Sequence, residues 1–200
     1  QVNSSSFTTI NSIKNIVFDY DNPVPDNICE NKSNLLSISF SDKITGIGNN
    51  AFKNCSSLTS ISFTGVSNIK ILGDNSFENC SSLTEFNIPN SVTSIGSFTF
   101  KNCSNFTSFT IPDYVINIGN GILSFCSNLT EVIFPNNIQN ISNNMFNSCI
   151  NLLQITIPNT IVSIGDDAFS DCSSLNSCVF ETNNVINNIG ERVFKNCVAL

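Results

Sequence analysis

Seven cysteines recur along the chain at near-constant spacing: Cys55, Cys80, Cys103, Cys126, Cys149, Cys172 and Cys197 stand 25, 23, 23, 23, 23 and 25 residues apart. A period of this length makes each repeat one supersecondary unit that cannot bury its own apolar face. Stability must then come from stacking neighbours, not from one globular core. Other positions hold the same register. Three residues before each Cys stands Phe52, Phe77, Phe100, Leu123, Phe146, Phe169 or Phe194, and three after it Leu58, Leu83, Phe106, Leu129, Leu152, Leu175 or Leu200. Eight before it is Ile or Leu, followed by Gly48, Gly73, Gly96, Gly119, Gly165 or Gly190, and eleven before it is Ile or Val. The unit reads IxxIGxxxFxxCxxLxxIxI, and Pro89, Pro112, Pro135 and Pro158 follow four of its copies.

The segment after each Cys ends in period-two alternation of β-branched and aromatic residues, as in Leu58 to Phe63, LTSISF, which predicts a short strand. Equivalent strands are expected near 13–18, 35–40, 83–88, 106–111, 129–134, 152–157 and 175–180, stacked as one parallel sheet about 4.8 Å per rung. The Pro that follows cannot donate a ladder hydrogen bond and suits the strand's end. The Gly after the second Ile suits a turn with positive φ, ahead of a short helical or irregular piece carrying the Phe. Residues 1–30 read as a degenerate rung or cap with a Pro-bearing turn, and 31–200 as the array, which is expected to continue beyond 200. Phe100→Ala should cost about 3–5 kcal/mol as a buried large-to-small change.

With Asn54-Cys55-Ser56-Ser57-Leu58-Thr59-Ser60-Ile61 and Val92-Thr93-Ser94-Ile95-Gly96 in hand, the sequence resembles the BspA-like leucine-rich repeats of the Treponema pallidum type over about residues 31–200. The resemblance implies an α/β-type leucine-rich-repeat arc of 23-residue rungs, with a parallel concave β-sheet and short helical or irregular convex arms. It also implies a surface or secreted protein of the adhesin kind, recognising host or matrix proteins. Two-residue insertions at Gly65-Val66 and Asn183-Asn184 fall in loops.

Chemistry has little to work with. The chain has no His, the commonest general base, and no nucleophile elbow or phosphate loop, so no enzyme is expected. No cofactor or metal is expected either: the cysteines follow the repeat and make no CxxC pair, so they read as a buried ladder. Cys178, in a strand Ile position, reads as core too. Asp166-Asp167, in a solvent-facing turn, gives the one hint of a Ca²⁺ site. Eight basic residues scattered among 200 form no nucleic-acid surface, and no apolar run is long enough for a membrane span. No charged-then-apolar leader follows Gln1. Nine unpaired thiols favour a reducing compartment and hence the alternative, an intracellular scaffold or cytoskeleton-associated protein in the cytoplasm. Asn3, Asn31, Asn54, Asn79, Asn102, Asn105, Asn128 and Asn140 each open an N-x-S/T triplet, which favours the exterior; Asn105 and Asn128, in turns, suit acceptors best.

Binding is expected on the sheet face. In each LxxIxF strand the third and fifth residues point away from the core, which selects Ser60 and Ser62, Glu85 and Asn87, Ser108 and Thr110, Glu131 and Ile133, and Gln154 and Thr156 as the candidate surface, flanked by Ser37, Ser39, Ser177 and Val179. The partner would be a protein, host or matrix on one reading and intracellular on the other. Three aromatics, Phe98, Tyr114 and Phe125, stand where other rungs carry mostly polar or small residues.

Overall fold

In the computed structural model, residues 12–200 are described, and they form a parallel β-solenoid with two strands in most rungs. The longer strands follow the Leu column: β1 (Asn15–Phe18), β2 (Ser37–Phe40), β4 (Ser60–Phe63), β7 (Ser108–Thr110), β9 (Glu131–Ile133), β11 (Gln154–Ile157) and β13 (Ser177–Phe180). The shorter ones precede the Gly column: β3 (Gly46–Ile47), β5 (Ile71–Leu72), β6 (Ser94–Ile95), β8 (Asn117–Ile118), β10 (Asn140–Ile141), β12 (Ser163–Ile164) and β14 (Asn188–Ile189). All pairs are parallel and join equivalent residues of successive rungs, such as Ile38 with Ile61 and Ile141 with Ile164. Among the described residues there is no helix. The piece that carries each Phe is a run of tight turns, which corrects the expected helical arm. The sheet of short strands was not anticipated.

The expected single sheet is also divided. The longer strands pair as β1-β2-β4, β7-β9 and β11-β13, and residues 83–88 form no strand. There Phe86 takes the inward place that Ile61 holds one rung earlier, and its ring lies 5.0 Å from Phe77 and 4.8 Å from Phe100. A ring wedged between two others sets that segment's height, so it leaves the ladder while keeping its alternation: Phe86 and Ile88 buried, Glu85 and Asn87 exposed.

The core is a set of columns. Phe52, Phe77 and Phe100 stack at 5.3 and 5.7 Å, and Phe146, Phe169 and Phe194 at 5.2 and 5.5 Å. Leu58, Leu83, Leu129, Leu152 and Leu175 are buried beside them. Seven cysteines, Cys29 and Cys55 through Cys172, are fully buried and free. Each column thiol donates to a carbonyl of the rung before: Cys80 to Phe52, Cys103 to Phe77, Cys126 to Phe100 and Cys149 to Leu123, at 3.2–3.3 Å. Burial pushes these thiols up, to about 12 for Cys29, Cys55 and Cys172. Cys178 is only partly buried, and the same cause raises it to about 11. Because the thiolate is the reactive form, iodoacetamide at pH 8 should leave these seven unmodified in the folded protein and reach only Cys178 and Cys197. Peptide mapping before and after denaturation checks this, and rapid native labelling of Cys103 would contradict it.

Two columns carry the turns. Asn27, five residues before Lys32 in the first rung, and Asn50, Asn75, Phe98, Gly121, Asn144, Asp167 and Arg192, five residues before Cys, all have φ between 52° and 60°. Asn31, just before Lys32, and Asn54, Asn79, Asn102, Phe125, Ser148, Asp171 and Asn196, each immediately before Cys, have φ between 57° and 64°. Asn is the non-glycine residue that best tolerates this region, which explains its abundance. In the second column the amides stack: Asn54 Nδ2 donates to Asn31 Oδ1 at 2.7 Å, Asn79 to Asn54 at 2.6 Å and Asn102 to Asn79 at 2.9 Å. The repeated glycine, by contrast, is not in a positive-φ turn, contrary to expectation. Its role is close approach: a Cβ at Gly73 would stand 2.7 Å from the Asn49 backbone nitrogen, and one at Gly119 2.4 Å from that of Ser97.

Candidate functional site

The expected surface residues all lie outside the core. Ser60, Ser62, Glu85, Asn87, Ser108, Thr110, Glu131, Ile133, Gln154 and Thr156 are exposed, each beside inward neighbours that are buried or half-buried. Parallel pairing brings them side by side: Ser60 opposite Ser37 and Ser62 opposite Ser39, Ser108 opposite Glu131 and Thr110 opposite Ile133, Gln154 opposite Ser177 and Thr156 opposite Val179. A small-polar strip therefore runs across the rungs.

Breaks in the sheet give the strip relief. Where rung 83–88 leaves the ladder, a cleft of about 200 Å³ forms between Glu85, Asn87, Ser108 and Thr110. Between β9 and β11 a larger one, about 610 Å³, is lined by Thr130, Glu131, Leu153, Gln154, Thr156 and Asn176. Each contains one of the strip's two carboxylates, and Leu153, 49% exposed, adds an apolar wall to the second. Such clefts could take a basic or amide side chain beside an apolar one. Leu153 does not belong to the alternating set, so the strand pattern gave no reason to single it out.

Of the three unusual aromatics the structure unites two. Lys101 Nζ lies 5.4 Å from the ring centre of Phe98 and 5.8 Å from that of Phe125, while also pairing with Glu78 at 3.2 Å; Lys53 binds the other oxygen of Glu78 at 2.8 Å. The Phe98 ring fills the space over Gly121, where a Cβ would stand 2.4 Å from its edge. Tyr114, 57% exposed, lies in a different column of the rung. Packing within the stack thus accounts for Phe98.

The Ca²⁺ hint at Asp166-Asp167 fails on geometry. Asp166 Oδ1 accepts the Glu191 backbone N–H at 2.7 Å, and Asp167 receives the Arg192 guanidinium at 2.7 and 3.0 Å. Hydrogen bonding to Arg192 holds the Asp167 carboxyl below the usual carboxylate range. Among the described residues no group of three metal-ligating side chains converges, and no helix is long and apolar enough to cross a membrane. The triplets at Asn54, Asn79 and Asn102 have their amide nitrogens committed to the stack. Asn105 and Asn128 are exposed in turns, and Asn3 lies outside the described residues.

A family model for the BspA type leucine rich repeat region, in six copies, matches residues 22–152 and 93–200. No curated protein matches the sequence. Among solved structures, a leucine-rich repeat protein from Bacteroides ovatus is similar at a TM-score of 0.79 and 27% identity, over 90% of this chain and 48% of that one. This chain therefore spans about half the length of that relative. The T. pallidum leucine rich repeat protein is similar at a TM-score of 0.65 and 20% identity, over 94% of this chain and 78% of that one. The pneumococcal vaccine antigen PcpA aligns at 0.56 and 15%, over 95% and 71%. These last two likenesses concern the fold.

Proposed function

Because the chain belongs to the BspA-type leucine-rich-repeat family, whose repeats generally serve protein interaction, we propose that it recognises a protein partner through the polar strip of the longer strands, as a cell-surface or secreted module of the adhesin kind. The observation that carries this reading is the pair of clefts on that strip, each holding one glutamate in otherwise neutral surroundings. Lacking Trp and Arg, the strip has few of the anchors that dominate compact interfaces, so binding is spread over several rungs and gains from avidity along the array.

The free thiols favour the second reading, an intracellular scaffold or cytoskeleton-associated protein. Burial weakens that argument, since a thiol sealed in the core and bonded to a carbonyl is protected from oxidants. Staining cells that make the protein, before and after permeabilisation, separates the two: signal on intact cells supports the surface reading, and signal only after permeabilisation sinks it. Once a partner is in hand, Glu85→Lys with Glu131→Lys should weaken binding at least about tenfold, or 1.4 kcal/mol. Unchanged affinity in a folded double variant would move the interface off this strip.

A further inference from the structure

Three of the columns that tie rung to rung stop together between the rungs of Cys126 and Cys149. The first is the sheet of short strands, which divides there into β3-β5-β6-β8 and β10-β12-β14. Gly119 N–H reaches Ile95 O and Gly165 N–H reaches Ile141 O, both at 2.8 Å, but Ser142, which stands in the glycine column, makes no backbone bond to the rung before. The second is aromatic. Rings touch in sequence from Phe18 through Phe52 and Phe100 to Phe109, and again from Phe134 through Phe146 to Phe194, but among the described residues no ring pair joins the two sets. The third is a ladder made by the residue after the glycine, whose side-chain oxygen accepts the backbone N–H of its counterpart one rung on. Asp74 accepts from Ser97 at 2.7 Å and Ser97 from Asn120 at 3.2 Å, then Asn143 from Asp166 at 2.9 Å and Asp166 from Glu191 at 2.7 Å. Asn143 N–H makes no such bond to Asn120. Every other pair of neighbouring described rungs keeps the short-strand pairing, a ring contact and this ladder. The two rungs nevertheless stay closed on each other. The N–H groups of Gly121, Leu123 and Phe125 bond the carbonyls of Asn143, Met145 and Asn147 at 2.7–3.1 Å, β7 pairs with β9, and the Ser142 hydroxyl donates to Gly119 O at 2.8 Å.

We propose that this interface is a joint dividing the solenoid into two blocks, of which the later, residues 129–200, opens and recloses while the earlier stays folded. In a one-dimensional stack, stability is the sum of each rung's own contribution and the interactions between neighbours. Where one such interaction is much weaker than the rest, the stack opens there in contiguous cooperative units and not rung by rung. The later block holds far fewer of the touching rings, and its last rung leaves Ile189 57% exposed, so it is the one that opens first. Opening dismantles the larger cleft of the strip, which Leu153 and Gln154 help to line, and leaves the smaller one at Glu85 in place. The joint itself holds whether or not the strip binds a partner.

Two measurements on the whole chain test this. Both tyrosines, Tyr20 and Tyr114, lie before the joint, so tyrosine fluorescence follows the earlier block while far-ultraviolet circular dichroism follows both. During urea unfolding the dichroism should lose part of its amplitude before the fluorescence changes, since non-coincident probes mark a populated intermediate. Native-state hydrogen exchange then locates the boundary. The amides of Gly73, Gly96, Gly119, Gly165 and Gly190 are equivalent probes, each bonded to the rung before. Exchange should slow in a single step of at least about tenfold between Gly165 and Gly119. Ser142→Gly, which restores the residue of the other rungs and lets the short strands pair, should narrow that step at least about threefold. Coincident urea transitions overturn the proposal. So does a smooth gradient of exchange from Gly190 to Gly73, which is fraying from the end, or an unchanged step in folded S142G.

Discussion

Raising the pH from 8 to about 10.5 should unfold this protein under reducing conditions. The cause is the thiol column. Seven buried cysteines have acid strengths weakened by desolvation, reaching about 12 for Cys29, Cys55 and Cys172 against an ordinary 9.0. A thiol whose folded pKa lies above its unfolded one binds more protons in the native state once pH passes the unfolded value. Its stabilisation is complete below about pH 9 and is lost as pH climbs towards 12. The limiting slope is about 1.4 kcal/mol per pH unit for each such group. Seven acting together remove roughly 10 kcal/mol per unit, comparable with the whole stability of an ordinary domain. Urea midpoints measured at pH 7, 8, 9 and 10 check this, with Cys103→Ala flattening the slope by one thiol's share. A midpoint that stays constant from pH 8 to 10 would show that the column does not control alkaline stability.

Phe100→Ala should destabilise the fold by about 3–5 kcal/mol, at the upper end for a buried aromatic truncation. The residue is fully buried and its ring meets four others: Phe86 at 4.8 Å, Phe109 at 5.2 Å, Phe77 at 5.7 Å and Phe106 at 5.9 Å. These five rings are the densest aromatic contact in the solenoid. Their loss cannot be repaired by collapse, because the Cys80, Cys103 and Cys126 rungs are tied together by backbone bonds through the Phe-bearing turns, such as Phe77 N–H to Thr99 O and Phe100 N–H to Ile122 O. In a one-dimensional stack the damage spreads to nearest neighbours. Hydrogen exchange should therefore speed up in the rungs of Cys80 and Cys126 as well as that of Cys103. A loss under 1 kcal/mol by urea denaturation, or fraying confined to one rung, would contradict this account. Phe169→Ala makes the comparison: its ring stacks on Phe146 and Phe194 only, so it should cost less.

The candidate binding strip was readable because strand alternation is a local property. Once Leu58, Ile61 and Phe63 are inside, Ser60 and Ser62 must be outside, and the rule transfers from rung to rung even through residues 83–88, where no strand forms. The clefts were not readable. They arise where the ladder parts, and that depends on how Phe86 fits between Phe77 and Phe100 and on how Leu153 is left uncovered.

The sequence by itself determined the period, the columns and the inward residues, since a fixed repeat permits only like-on-like stacking and the apolar pattern names what is buried. The asparagine columns were also written there, as repeats of the non-glycine type most at ease with positive φ, although their meaning emerges only from the backbone angles. Tertiary structure alone decided three things: that the Phe arm is a run of turns and not a helix, that a second sheet of two-residue strands exists, and that the glycine serves contact rather than conformation. Each depends on the separation between rungs. A strand of two residues leaves almost no pattern in one rung, and a missing Cβ is silent until another backbone lies 2.4 Å from where it would be.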